Sequence, residues 1–136
     1  MTRPSDLTTH SQDLLAKHSF ELTDSSDNGM LKHYLWTNLE MQFSLTYDRG
    51  YYDCDIIPSQ KPINRMSLIR LLRFLKKDKD FYSKELIDVN LWYTLTVNQY
   101  VELFSENYNL IGDFVRNFNQ DKYDNYNDFE FAYNSI

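Results

Sequence analysis

Apolar and polar positions alternate most cleanly between residues 41 and 57. Met41, Phe43, Leu45 and Tyr47 interleave with Gln42, Ser44 and Thr46, and Tyr52, Cys54 and Ile56 interleave with Asp53 and Asp55. A period of two predicts strands with one apolar and one wet face. Asp48-Arg49-Gly50 lies between them and suits a three-residue hairpin loop with Gly50 in the left-handed region. Pro58 ends the later strand. Upstream, Phe20 opens a strand, the stretch from Asp24 to Gly29 is rich in turn formers, and Leu31 to Thr37 is apolar and aromatic enough to extend. Four strands joined by short turns make an antiparallel meander, and its one apolar face needs helices over it.

Helical spacing supplies them. Ser5 to Lys17 predicts a first helix, capped by Ser5 or Asp6, with Leu7, Leu14 and Leu15 on one side. Ile63 to Lys76 predicts a second, with Leu68, Leu71, Leu72 and Leu75 inward and Arg65, Arg70, Arg73, Lys76 and Lys77 outside that stripe. The longest seam runs Val97, Val101, Phe104, Tyr108, Ile111, Val115 and Phe118, behind a capping box of Thr96 and Gln99. Leu103, Leu110 and Phe114 widen that seam beyond a coiled-coil stripe, which favours packing on the sheet. Between 78 and 95 the pattern is divided: Phe81 to Ile87 suits a helical turn, and Leu91 to Leu95 a connector or short strand. Residues 120–136 interleave acids, amides and rings without a clear period. The expected fold is α+β: a single domain over 1–136, with a four-stranded antiparallel meander packed by an N-terminal helix and two or three C-terminal helices. Residues 120–136 form its acidic-aromatic end.

A chain of 136 residues can bury one sizeable core without staples. Cys54 is its only cysteine, so no internal disulfide forms, as expected in a reducing cytoplasm. No apolar run resembles a signal peptide or approaches the ~20 residues of a membrane span. Net charge is −6, unevenly placed. Residues 1–57 carry nine acids and four bases, 58–79 one acid and seven bases, and 80–136 ten acids and three bases. An acidic chain argues against nucleic-acid or anionic-membrane binding and suits a basic protein partner.

Reaction chemistry is thinly represented. Asp6, His10 and Asp13 can share a helix face, but no further ligand spacing completes a metal site. Asp53 and Asp55 share a strand face, as paired carboxylates would, yet the wet face of a sheet looks the same. Cys54 lies between two acids, which raise a thiol's pKa rather than activate it. Arg70, Arg73 and Lys77 could touch phosphates or simply pair with neighbouring acids. The terminal stretch with Asp121, Tyr123, Asp124, Tyr126, Asp128 and Glu130 could fray, dock on its own domain or meet a partner. No catalytic residue, cofactor or metal is assigned, and an enzyme is not expected.

Two stretches carry a resemblance: Tyr47 to Ile56 (YDRGYYDCDI) and Leu95 to Ile111 (LTVNQYVELFSENYNLI). Both resemble small acidic bacterial immunity proteins of contact-dependent-inhibition and other polymorphic toxin systems. The resemblance implies a cytoplasmic protein that binds its cognate toxin domain, often a nuclease, and occludes the active site. No functional motif is shared residue by residue. The partner-binding residues expected from charge and aromatic exposure are therefore Asp53, Asp55, Asp121, Tyr123, Asp124, Tyr126, Asp128 and Glu130, in a chain expected to be monomeric. Rival readings are a non-inhibitory interaction module or homodimeric adaptor, and a small enzyme with an unfamiliar site.

Overall fold

The computed structural model describes residues 2–79, 81 and 95–134, with side chains given through residue 129. The chain is α+β. Five strands, β1 (Glu21–Asp27), β2 (Leu31–Thr37), β3 (Met41–Asp48), β4 (Tyr51–Pro58) and β5 (Met66–Ser67), lie in sequence order in one sheet. Every neighbouring pair is antiparallel. The described helices are α1 (Thr9–Lys17), α2 (Leu68–Lys76), α3 (Val97–Glu106), α4 (Tyr108–Val115) and α5 (Gln120–Asn134). None is long and apolar enough to cross a membrane.

One face of the sheet carries the core. Tyr34 and Trp36 from β2, Met41, Phe43 and Leu45 from β3, and Cys54 and Ile56 from β4 are all buried. Phe104 of α3 stands against them, its ring 4.8 Å from Phe43 and 5.5 Å from Phe20. Such ring pairs add about 1 kcal/mol each beyond the area they bury. The seam predicted from Val97 to Phe118 is buried as expected, Tyr108 only partly. It is core, not a coiled coil. It is also two helices rather than one, because at Asn107 (φ −111°) the amide side chain turns back to the Leu103 carbonyl at 2.9 Å.

Several boundaries move for physical reasons. The first helix starts at Thr9, capped by Thr8 rather than Ser5 or Asp6. Asn98 ties down the segment ahead of it, donating to the Asp6 carbonyl and accepting from the Thr8 amide, and Ser5 and Asp6 form a turn closed by the Leu7 amide on the Pro4 carbonyl. The β3–β4 loop has two residues, not three: Asp48 pairs with Tyr51, and Arg49 and Gly50 both take positive φ, 53° and 94°. Positive φ at both central residues marks the turn that matches strand twist. The expected turn from Asp24 is shorter as well, since Asp24–Asp27 continue β1 past a bulge between Leu22 and Asp24. The second helix begins at Leu68 because Met66 and Ser67 first pair with Ile56 and Asp55 as a fifth strand. Arg73, placed outside by its spacing, is only 8% exposed and donates from Nε to the Phe81 carbonyl at 2.8 Å. The expectations for Phe81–Ile87 and Leu91–Leu95 fall almost entirely outside the described residues.

The hydroxyl of Ser11, on the buried side of α1, has no hydrogen-bond partner among the described residues. Removing an unpaired buried hydroxyl relieves a desolvation penalty, and alanine also favours helix. Ser11→Ala is expected to raise unfolding stability by about 1 kcal/mol, read from the midpoint of a urea titration.

Candidate functional site

Among the described residues no helix crosses the sheet's second face, and its polar side chains are organised. Cross-strand register aligns Asp24, Leu35, Ser44, Asp55 and Ser67 in one row, and Ser26, His33, Thr46 and Asp53 in the next. Arg65, just before β5, lies over both β3 and β4. Its guanidinium donates to Ser44 Oγ at 3.0 Å and to Asp55 Oδ2 at 3.1 Å. The other side of Ser44 Oγ meets His33 Nε2 at 3.2 Å, and His33 Nδ1 faces Asp24 at 3.9 Å. With Arg65 donating to one lone pair, Ser44 either donates to the imidazole or accepts from it, according to the His33 tautomer. The set has the composition of a hydrolytic triad without its geometry. Ser44 is only 1% exposed and held by Arg65, and 3.9 Å is too long for an aspartate hydrogen bond to the ring. It is a structural brace.

Next to this face lies a cleft of about 380 Å³ between β4, α2 and Tyr100, lined among others by Asp53, Asp55, Ser67 and Arg70. Tyr100 donates to the Tyr52 carbonyl at 3.0 Å, and Tyr52 donates to the Asp6 carboxylate. Burial first, then the Asp6 carboxylate, holds the Tyr52 phenol well above its ordinary pKa, and burial, then Cys54, Asp53 and Asp55, raises the Tyr100 phenol. Burial, then Asp55 and Asp53, pushes the Cys54 thiol up as well. No thiolate nucleophile or phenolate base is available there near neutral pH. Partial burial, then Asp55 and Asp48, also raises the Asp53 carboxyl, against the opposing pull of Arg70. Among the described residues no group of three or more histidine, cysteine and acidic side chains could hold a metal. His10 and Asp13 lie on the exposed side of α1, but Asp6 precedes the helix, so the three do not share a helix face.

The terminal stretch is a fifteen-residue helix, which the sequence pattern did not reveal. Asn119 caps it, accepting from the Lys122 amide at 2.9 Å, and Asp121 sits in the first turn where an anion suits the helix dipole. Lys122 turns inward, its ammonium donating to the Phe114 and Arg116 carbonyls at 3.0 and 2.9 Å, and so caps the end of α4. Tyr126 is not the exposed anchor expected of it. It is 3% exposed, with its ring 6.0 Å from Phe74 and 6.1 Å from Tyr123. Tyr123 is half-buried against Phe118, and Phe129 packs on Phe74. These rings are engaged with their own domain because α2 and α4 offer them an aromatic wall.

The carboxylates separate from the rings. Asp121, Asp124 and Asp128 are all exposed, at helical steps of three and four that share a face. Asp124 accepts from Gln120 at 2.9 Å, and none of the three is ion-paired among the described residues. Glu130 belongs to α5, with its side chain outside the described set. On the hairpin, Asp53 is exposed while Asp55 is half-buried and bound to Arg65. The structure thus joins Asp53 and Asp55 in one row-pair of the sheet and collects Asp121, Asp124 and Asp128 on one helix face. The Asp24–His33–Ser44–Arg65 brace escaped the sequence reading. Once the strands are in register, its signal is the cross-strand alignment of polar outward positions.

Comparison with family models, with curated proteins and with solved structures finds no match to this chain.

A carboxyl whose pKa is raised on folding binds a proton more readily in the folded chain, so its contribution weakens as pH climbs from the unfolded value through the folded one. Asp53→Asn is expected to raise the urea midpoint at pH 7, with the gain vanishing below about pH 4. A loss of stability at pH 7 would mean that Asp53 is a structural partner of Arg70 rather than a strained surface charge.

Proposed function

We propose that this chain is a protein-binding inhibitor of the immunity type, which docks on a basic toxin domain, such as a nuclease, and covers its active site. The supporting observation is the division of labour on α5. Its rings fix the helix to the domain, while Asp121, Asp124 and Asp128 stand outward, none of them ion-paired among the described residues, and Lys122 is spent on the Phe114 and Arg116 carbonyls. A rigid row of carboxylates presents negative charge at low entropic cost where a nuclease would otherwise hold phosphates. Asp53 adds charge at the hairpin, and Asp55 contributes less because Arg65 offsets it. The carboxylates would act on encounter rate and specificity more than on raw affinity. The exposed Tyr51 and Leu31, adjacent to Asp48 in the sheet register, offer apolar contact area of the kind that stabilises such complexes.

The test is co-expression with a basic toxin domain, sought first as the C-terminal domain of a large secreted protein encoded beside this chain. The wild-type chain is expected to co-purify at one-to-one stoichiometry and to restore growth. The variant Asp124→Lys/Asp128→Lys, which leaves Asp121 at the helix N-terminus, is expected to bind at least tenfold more weakly while keeping the wild-type circular dichroism spectrum. No protection by the wild-type chain, or undiminished binding by the variant, contradicts the proposal.

A further inference from the structure

Strand β1 is a margin of the sheet. Its seven residues pair with β2 on one side, and on the other no backbone–backbone hydrogen bond among the described residues reaches Glu21–Asp27; the N-terminal segment touches the strand only through the Thr2 carbonyl, which accepts from the Ser25 hydroxyl. At ~3.3 Å per residue this open edge is about 23 Å long, enough to template another extended chain.

Two features decide what can pair there. The first is charge. Glu21, Asp24 and Asp27 are exposed, and β1 contains no lysine or arginine. A second copy pairing through the same strand would bring carboxylates near carboxylates, which is destabilising. A basic strand meets the opposite condition. The second feature is the difference between the strand's two faces. Glu21 and Asp24 stand on the open face with Thr37 and Leu35, whereas Leu22 pairs with Trp36 on the covered face. There Leu22, Trp36, Phe20 and Leu15 line a groove of about 210 Å³ between β1 and α1. Arg3, at the same groove and bonded to Gln12, opposes a cation on that side. The edge therefore suits a strand that is basic on one face and apolar on the other.

We infer that β1 accepts an extended segment of a partner protein, alternately basic and apolar, as an added antiparallel or parallel strand. Main-chain hydrogen bonds hold it, Glu21 and Asp24 select its cations, and the groove takes its apolar side chains. This rests on the reading of the chain as a binder of basic proteins and supplies a docking mode for it, separate from the α5 face.

The experiment titrates the isotope-labelled full chain with a nine-residue synthetic peptide alternating lysine and valine. A second titration uses the same peptide N-methylated on alternate backbone amides, which keeps charge and shape but blocks strand pairing. The first peptide is expected to slow amide hydrogen exchange within residues 21–27. The methylated peptide, and the first peptide with the Asp24→Lys chain, are expected to bind at least tenfold more weakly. Equal binding of both peptides, or binding of neither, overturns the inference. Protection confined to α5 also overturns it while leaving the acidic-binder reading in place. Concentration-dependent protection of 21–27 in the free chain would put a second copy on the edge and overturn it too.

Discussion

The ring contact between Phe43 and Phe104 joins the two layers of this protein. Phe43 is the centre of the buried face of β3, the middle strand, and Phe104 the point where α3 meets it. From Phe104 the packing spreads to Phe20 behind α1 and to Tyr108 at the start of α4. Tyr108 stacks on His18 at 3.9 Å and receives the Asn38 amide, which ties the β2–β3 turn to the helices. Among the described residues no helix lies on the sheet's other side, and a face so placed must be acceptable to water. Here that is done with a braced polar row rather than with scattered polar residues.

The same aromatic logic orders the C-terminus. Phe74, on α2, receives rings from Phe114, Tyr126 and Phe129, so α5 is fastened by edge-to-face contacts rather than by a long aliphatic stripe. Lys122 closes the arrangement by satisfying carbonyls at the end of α4. Once the rings turn inward, the acids between them have nowhere to go but outward. The outward display of acids on α5 is therefore a by-product of how the helix is anchored, since one set of side chains rigidifies what the other presents.

Much of the fold was legible in the sequence because period-two alternation leaves little freedom. β2 spans the predicted Leu31–Thr37, and the inward set of β3 and β4 is the predicted one. What was hidden depends on tertiary contacts. Met66 and Ser67 look helical until β4 offers them an edge, and Asn98 holds residues 6–8 out of a helix from ninety residues away in sequence. In α5 the inward positions Tyr123, Tyr126 and Phe129 recur every three residues and drift around the helix, while Lys122 faces inward beside them, so no amphipathic period emerges. Of the candidate site, the acids were legible as charge. The inward turn of Tyr126 was not, because it needs the wall made by Phe74 and Phe118.

The proposed contact is between outward carboxylates and a cationic protein surface, and the association rate reports on such a contact most directly. Stopped-flow mixing of the chain with a basic toxin domain that it is found to bind, across a range of ionic strengths, is predicted to show a rate constant that falls steeply as salt is added, with dissociation nearly unchanged. An association rate indifferent to salt would contradict the account.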